Sequence, residues 1–502
     1  MSGAAITPKQ EVVIPEFKQI MGHPAPLWML FMSEFWERFA FYGIRWALVL
    51  YIVAQFYNGD PAGQQVASAT YGSYLALVYA AALFGGYVAD RIIGYQRSIL
   101  LGASFMAVGL FMISLPNPDI FKLGLATIIV GNGMFKPNIS TMVGKLYSVA
   151  DTRRDSGFTI FYMGINSGAF VAPILTQVLA QKVFNHGDMP AYKVVFIASG
   201  IGMLISMVWF YFGRSMLKGI GAPAVDGGNR MRVVYVAIGA LCAIPLFYFL
   251  LAIGAGTLQW VLSALFVGLS VMMVVEGVRN GAVARDKVIA MLIILFVNIL
   301  FWMFFEQAGS SFTFLADTII NRDLGFMIFP TAWFQSVNSV AIIVCAPIVA
   351  AIWVWLGKRD ANPSIPRKFG IAIVFNGAAF AILMYALSSL VDVHNQIPFW
   401  TLFAVYWIQS IGELCLSPIG LSMVTKLAPT RLVGMAMGGW FLSTGMGNNL
   451  SGIFASYVSG ETGQSVQSAL AGYTQAFYIL VAAGIVMILV APQIQKLMHG
   501  VK

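Results

Sequence analysis

Charge is what this sequence has least of: Asp, Glu, Lys and Arg together make up 10% of its 502 residues, against about a quarter in ordinary soluble domains. A soluble fold with 59% hydrophobic residues would have too little polar surface to cover its core, so the chain is read against lipid, where an apolar exterior is at rest. Cysteine is equally scarce. Cys242, Cys345 and Cys415 lie far apart within apolar stretches, which excludes a disulfide framework and a cysteine-built metal cluster. The four histidines, His23, His186, His394 and His499, fall at helix ends or in loops, which argues against a histidine-centred catalytic or zinc site in the membrane. Long polar segments are missing too. No loop is long enough to fold alone, and the polar first 26 residues lack the short apolar core and small-residue cleavage site of a removable signal.

What the sequence does have is apolar runs. A membrane-crossing helix needs about 20 largely apolar residues, and fourteen such segments are predicted: 27–56, 68–90, 95–115, 120–147, 154–181, 191–213, 231–252, 258–278, 286–318, 330–356, 369–390, 397–427, 431–457 and 470–497. The net charge of +9 would suggest nucleic acid in a soluble protein. Here the basic residues mark topology, because cytoplasmic loops collect Lys and Arg. With the amino terminus inside, 22 of the 29 basic residues, from Lys9 and Lys18 through Arg431 to Lys496 and Lys502, fall on the cytoplasmic side. Only Lys122, Lys182, Lys193 and Arg322 fall opposite, and Arg38, Arg45 and Lys136 lie within helices. An even number of spans with both termini cytoplasmic is therefore expected.

The seventh and eighth segments carry no intramembrane charge and are flanked by a Gly-rich loop, Gly219 to Asn229, and a basic one, Arg279 to Lys287. They read as an inserted pair. The expected organisation is a cytoplasmic segment 1–26, a six-helix bundle 27–218, a linker 219–285 with the two extra helices, and a second six-helix bundle 286–497.

Ionisable groups within lipid-spanning helices are costly and usually face a pathway or a partner. The first half holds Glu34, Glu37, Arg38, Arg45 and Lys136, and the second holds Glu306 and Glu413, with Asp317 near a helix end and set aside as solvated. Four carboxylates against three cations leave the interior one proton short of neutrality. Glu34, Arg38, Phe41 and Arg45 recur at i, i+4, i+7 and i+11 and so share one helix face, bordered by Glu37 and Tyr42. Glu34 and Arg38 could simply neutralise each other, but two carboxylates beside one guanidinium exceed that need. Lys136 directly precedes Pro137, whose ring removes a backbone donor and can free a carbonyl. Asn298, Trp302 and Glu306, and likewise Gln409, Glu413 and Ser417, form polar stripes at i, i+4, i+8 on otherwise apolar helices. The glycines at 85 and 86, 434 and 438, and 445 and 447 are explained by close helix packing. An intramembrane enzyme would need a nucleophile with a positioned base or a metal. Ser410 and Ser417 lie near Glu413 without an interior histidine or second lysine, so no enzyme is expected.

Several runs carry a family likeness. EFWERFAFYG, from Glu34 to Gly43, resembles the ExxERFxYYG signature of the proton-dependent oligopeptide transporters, a branch of the major facilitator superfamily. GGYVADRIIGYQRSI from Gly85, FYMGINSGA from Phe161, FWMFFEQAGSS from Phe301 and IGELCLSPIGLS from Ile411 are similar to further stretches of that family, so the likeness spans nearly the whole chain. It implies an all-α facilitator fold with two extra helices, as bacterial members have, and proton-coupled import of di- and tripeptides across the cytoplasmic (inner) membrane. No cofactor other than the proton gradient, no nucleic acid and no obligatory protein partner are expected. By position, Glu34, Glu37, Arg38 and Glu306 would be linked to proton coupling. Arg38 and Lys136 would meet the peptide carboxylate and Glu413 its amino terminus, while Tyr42, Tyr79, Asn166, Trp302, Asn338, Ser417 and Trp440 match pocket positions. The family's first tyrosine is Phe41 here, which removes a hydroxyl contact. Pairs Arg45–Glu306 and Lys136–Glu413 are expected to draw the halves together when the cavity is empty. The competing reading is a carrier of another solute, such as nitrate, a drug or a peptide-like compound, on the same scaffold.

Overall fold

The computed structural model describes residues 14–148, 151–185, 190–223, 230–429 and 432–501. Lys9, His186, Arg431, Lys502, residues 1–13 of the amino-terminal segment and residues 224–229 of the Gly-rich loop lie outside them. A short hairpin of two-residue strands, β1 (Gln19–Ile20) with β2 (His23–Pro24), leads into fifteen α-helices among the described residues. These are α1 (Ala25–Tyr51), α2 (Gly63–Val88), α3 (Tyr95–Met112), α4 (Pro118–Lys145), α5 (Arg154–Val178), α6 (Tyr192–Gly213), α7 (Arg230–Ala252), α8 (Ala255–Arg279), α9 (Ala282–Phe305), α10 (Ser311–Thr318), α11 (Trp333–Gly357), α12 (Ile365–Ser389), α13 (Phe399–Leu427), α14 (Val433–Ser459) and α15 (Val466–Leu497). Among the described residues, eleven helices are long and apolar enough to cross a membrane, so the chain is a multi-pass membrane protein. The long helices α3, α4 and α14 fall outside that set. For α4 and α14 the reason is polar side chains that point inward: Asn132, Asn138, Asn448, Asn449, Ser443 and Thr444 are all buried.

Helix starts follow local chemistry. Asn117 caps α4 by accepting from the backbone N–H groups of Asp119 and Ile120 at 2.9 and 3.0 Å, with Pro118 in the first turn, which satisfies donors that a helix start leaves unpaired. Ser465 and Ser468 form a reciprocal box at the start of α15.

The predicted segment 286–318 is not one helix. It breaks at Glu306–Ser310, between α9 and α10. Ser451 of α14 donates its hydroxyl to the Glu306 carbonyl at 2.8 Å, and the Gln307 amide donates to the carbonyl and hydroxyl of Ser451 at 3.3 and 3.1 Å. One side chain of the neighbouring helix thus takes the Glu306 carbonyl that the helix ladder would have used, while the Gln307 side chain anchors the break on that helix.

Two large apolar clusters fill the interior, one drawn mainly from residues before Leu262 and the other from residues after Met273. α1 packs on α5 and α6, and α3 on α4 and α6; in the later part α12 packs on α13 and α15. The two parts meet chiefly where α2 lies against α14. There Gly72 faces Gly452 so closely that a Cβ at residue 72 would stand 2.6 Å from the Gly452 Cα. Contacts toward the end where α1 finishes hold the parts together. The Ser456 hydroxyl donates to the Gln65 carbonyl at 2.6 Å, the Gln464 N–H to Gln64 Oε1 at 2.8 Å, and the Ala332 N–H to Gln177 Oε1 at 2.8 Å. Helix α7 packs on α4, whereas α8 packs on α14 and α9, so the inserted pair straddles the seam.

Candidate functional site

The charged face of α1 points inward as its spacing requires: Glu34, Glu37 and Arg38 are buried and Arg45 half-buried. Arg38 grips its chain neighbour Glu37 through two nitrogens, with Glu34 Oε1 3.4 Å from its Nε. Lys136 of α4 gives its ammonium to that same Glu34 oxygen. Asn132, one turn before Lys136, donates to Glu37 Oε1 at 3.3 Å. Two carboxylates, two cations and an amide thus form one neutral cluster. Glu34 Oε2 is buried and has no hydrogen-bond partner among the described residues. Pro137 does not break α4, but the backbone of Gly85 in α2 lies against the Gly133 carbonyl that the proline frees.

A second pair stands two turns along α1. Arg45 Nη2 binds Glu306 at the α9 break, and its Nε donates to the Tyr71 hydroxyl of α2 at 2.9 Å. The Tyr42 ring lies between the clusters, its centroid 5.8 Å from the Arg38 guanidinium and 5.6 Å from that of Arg45. Phe41 offers its ring face to Arg38 at 4.7 Å, so a cation–π contact stands where a hydroxyl is missing.

Glu413 of α13 is different. It is half-buried and accepts a hydrogen bond from Asn338 of α11 at 3.4 Å. Asn338 donates also to Ser410 at 2.8 Å. Among the described residues no cation pairs with Glu413. Ser417, one turn on, has a buried hydroxyl without a partner. Trp440 of α14 leans on α13, where the backbone of Gly420 packs against its ring. Trp302 donates its indole N–H to Asn298 at 3.0 Å, and Asn298 in turn donates to Ser443 and Thr444 at 2.9 and 3.0 Å, which fixes the ring as a wall. Tyr79 is half-buried on α2. Asn166 spends an amide hydrogen on the Tyr162 carbonyl at 3.0 Å. Gln409, expected as part of the Glu413 stripe, is committed to packing through Asn376 at 2.8 Å.

Of the two expected gate pairs the structure forms Arg45–Glu306. Lys136 and Glu413 are not joined, because the nearer Glu34 claims the ammonium. Asp317 lies apart, held by Thr331 at 3.0 Å and Arg322 at 3.8 Å. Sequence reasoning missed Tyr71 and Asn132. Both carried a signal: Tyr71 stands eight residues before Tyr79, two turns away on the same face, and Asn132 stands at i−4 from Lys136.

Residues 96–473 match the family model described as the POT family. The chain is 34% identical to the peptide transporter YePEPT of Yersinia enterocolitica, covering 97% of each protein. It is 31% identical to dipeptide and tripeptide permease B of Aliivibrio fischeri, covering 95% of this chain and 96% of that one. Among solved structures, that of a mutant of the peptide transporter POT in complex with alafosfalin superposes with a TM-score of 0.83 at 30% identity, covering 96% of this chain and 97% of that one. A POT family transporter in complex with 5-aminolevulinic acid gives a TM-score of 0.79 at 29% identity over 95% and 98% of the two chains.

Proposed function

The chain belongs to the POT family, and from that premise we propose that it is a proton-coupled symporter importing di- and tripeptides by alternating access. The observation that carries this reading is an asymmetry in how the buried charges are paired. α1 and α4 bear Arg38 and Lys136 with carboxylate partners, whereas α13 bears Glu413, with which no cation pairs among the described residues. A short zwitterion is complementary to both: its carboxylate competes with Glu34 for Lys136, and its ammonium supplies the charge that Glu413 lacks. Coupling follows from the same competition. A proton on Glu34 or Glu37 weakens the hold on Lys136 and Arg38, so cargo carboxylate and proton enter together. Protonation of Glu306 would likewise release Arg45 and let the far end of the bundle open.

In this reading 27–218 and 286–497 are the two rocking bundles, joined by the linker 219–285 in a fourteen-span topology with both termini in the cytoplasm, and the membrane is the inner one. Tyr42, Tyr79, Asn166, Trp302, Asn338, Ser417 and Trp440 line the peptide between the charged ends. The test is purified protein in liposomes loaded with a pH dye. Dialanine added outside should acidify the lumen, and silence across a panel of dipeptides would contradict the proposal.

A further inference from the structure

The Arg45–Glu306 pair joins α1 to the α9 break, and one side chain touches both sides of it. Tyr71 is 3% exposed. Its hydroxyl accepts from Arg45 Nε at 2.9 Å, which leaves Nη2 turned to Glu306. Its ring lies against Gly309, so tightly that a Cβ at that position would overlap the ring and the hydroxyl. Gly309 belongs to the same short non-helical stretch as Glu306. The hydroxyl therefore aims the guanidinium while the ring seats the turn that carries the carboxylate.

We propose that Tyr71 is a positioning residue of the Arg45–Glu306 gate, holding the guanidinium on the carboxylate and thereby setting the pH at which a proton can replace it. The inference rests on the proton-coupled reading above. The titratable and charged groups facing Glu306 are Arg45 and Tyr42 from α1, Tyr71 and Tyr79 from α2, and Tyr406 and Glu413 from α13. Arg45 is the one cation in that set. How firmly it is held decides how readily a proton takes its place. Without the Tyr71 hydroxyl the guanidinium keeps a single anchor and swings away more often, so the carboxylate is neutralised at lower proton concentration.

The experiment is dialanine uptake into proteoliposomes as a function of external pH. Tyr71→Phe should move the half-maximal pH upward by about one to two units, the size expected for one hydrogen bond to a charged group. KM at acidic pH should stay near that of the unaltered protein, since Tyr71 is fully buried behind the gate. Gly309→Ala, which keeps the hydroxyl but displaces it, should shift the profile the same way. It should add no further shift when combined with Tyr71→Phe. If Gly309→Ala fails to fold, Tyr71→Phe alone decides. A Tyr71→Phe protein that is slower at every pH with an unmoved midpoint overturns the assignment, because that is what loss of packing alone does. An unaltered carrier that moves no proton with dialanine would overturn the symport reading and this inference with it. A proton-moving carrier with an unshifted Tyr71→Phe variant overturns this inference alone.

Discussion

Lys136 gives its ammonium to Glu34, on the neighbouring α1, while Glu413 accepts an amide hydrogen bond from Asn338 at 3.4 Å and pairs with no cation among the described residues. In the proposed function a zwitterion would compete with Glu34 at one end and bring Glu413 its counter-charge at the other.

Glu413→Gln keeps the shape of that side chain and removes its charge. A hydrogen bond to a charged group contributes about 1.5–3 kcal/mol, so KM for dialanine should rise at least roughly tenfold. A dipeptide with an acetylated amino terminus, poor for the unaltered protein, should lose little more. Competitive uptake in liposomes measures both. An unchanged KM for dialanine would remove Glu413 from the site.

The Lys136–Glu34 pair makes a stability prediction that transport does not enter. Taking one partner from a buried ion pair typically costs about 3–5 kcal/mol, and removing both costs far less. The lysine side chain is 29% exposed, which places the cost toward the lower figure. Lys136→Ala should therefore lower the thermal unfolding midpoint in detergent, and the double variant Glu34→Gln with Lys136→Met should recover most of the loss. Additive losses would mean that the two groups do not depend on each other.

At the seam between the parts, Gly72→Ala would drive a methyl to within 2.6 Å of the Gly452 Cα and 2.9 Å of the Asn448 carbonyl. Backbone cannot yield cheaply, and overpacking of this kind costs about 1–3 kcal/mol. The expected result is a lower unfolding midpoint together with slower crosslinking between cysteines placed at Gln64 and Gln464, whose present contact marks closure of that end. Unchanged crosslinking would show that the seam absorbs the methyl without separating.

The hairpin before α1 is clipped from outside the spans. Arg153 donates to Gln19 Oε1 at 3.1 Å and to the Gly22 carbonyl at 3.0 Å, and is itself held by Asp151. Hydrogen bonds from Arg153 hold the Asp151 carboxyl below its ordinary value. A depressed carboxyl contributes its stabilisation above the unfolded value and loses it only as pH falls through the lower, folded one. The clip should therefore be constant across the mildly acidic range of a transport assay. Arg153→Ala should make the segment around Gln19 more sensitive to limited proteolysis at every pH in that range. Protection that persists in the variant would contradict this.

Much of the candidate site was legible because membrane interiors tolerate few charges. Listing ionisable residues in apolar runs finds Glu34, Glu37, Arg38, Arg45, Lys136, Glu306 and Glu413 without any knowledge of packing, and helical spacing places the α1 members on one face. The break at Glu306–Ser310 was not legible, because its cause lies on another helix: Ser451, 145 residues away, supplies the hydrogen bond that replaces the ladder. The partner of Lys136 was equally hidden. Charge inventory gives the signs, but only the approach of α4 to α1 decides whether Glu34 or Glu413 is nearer. Tyr71 escaped for a third reason, since an aromatic in an apolar helix reads as packing until a guanidinium is found on its hydroxyl.

If both charged ends of a short peptide are gripped, cargo blocked at either end must be carried poorly. In pH-dye liposomes containing the purified protein, dialanine should acidify the lumen, while dialanine acetylated at its amino end and dialanine amidated at its carboxyl end should each give a far smaller signal. Equal acidification by all three would contradict the account.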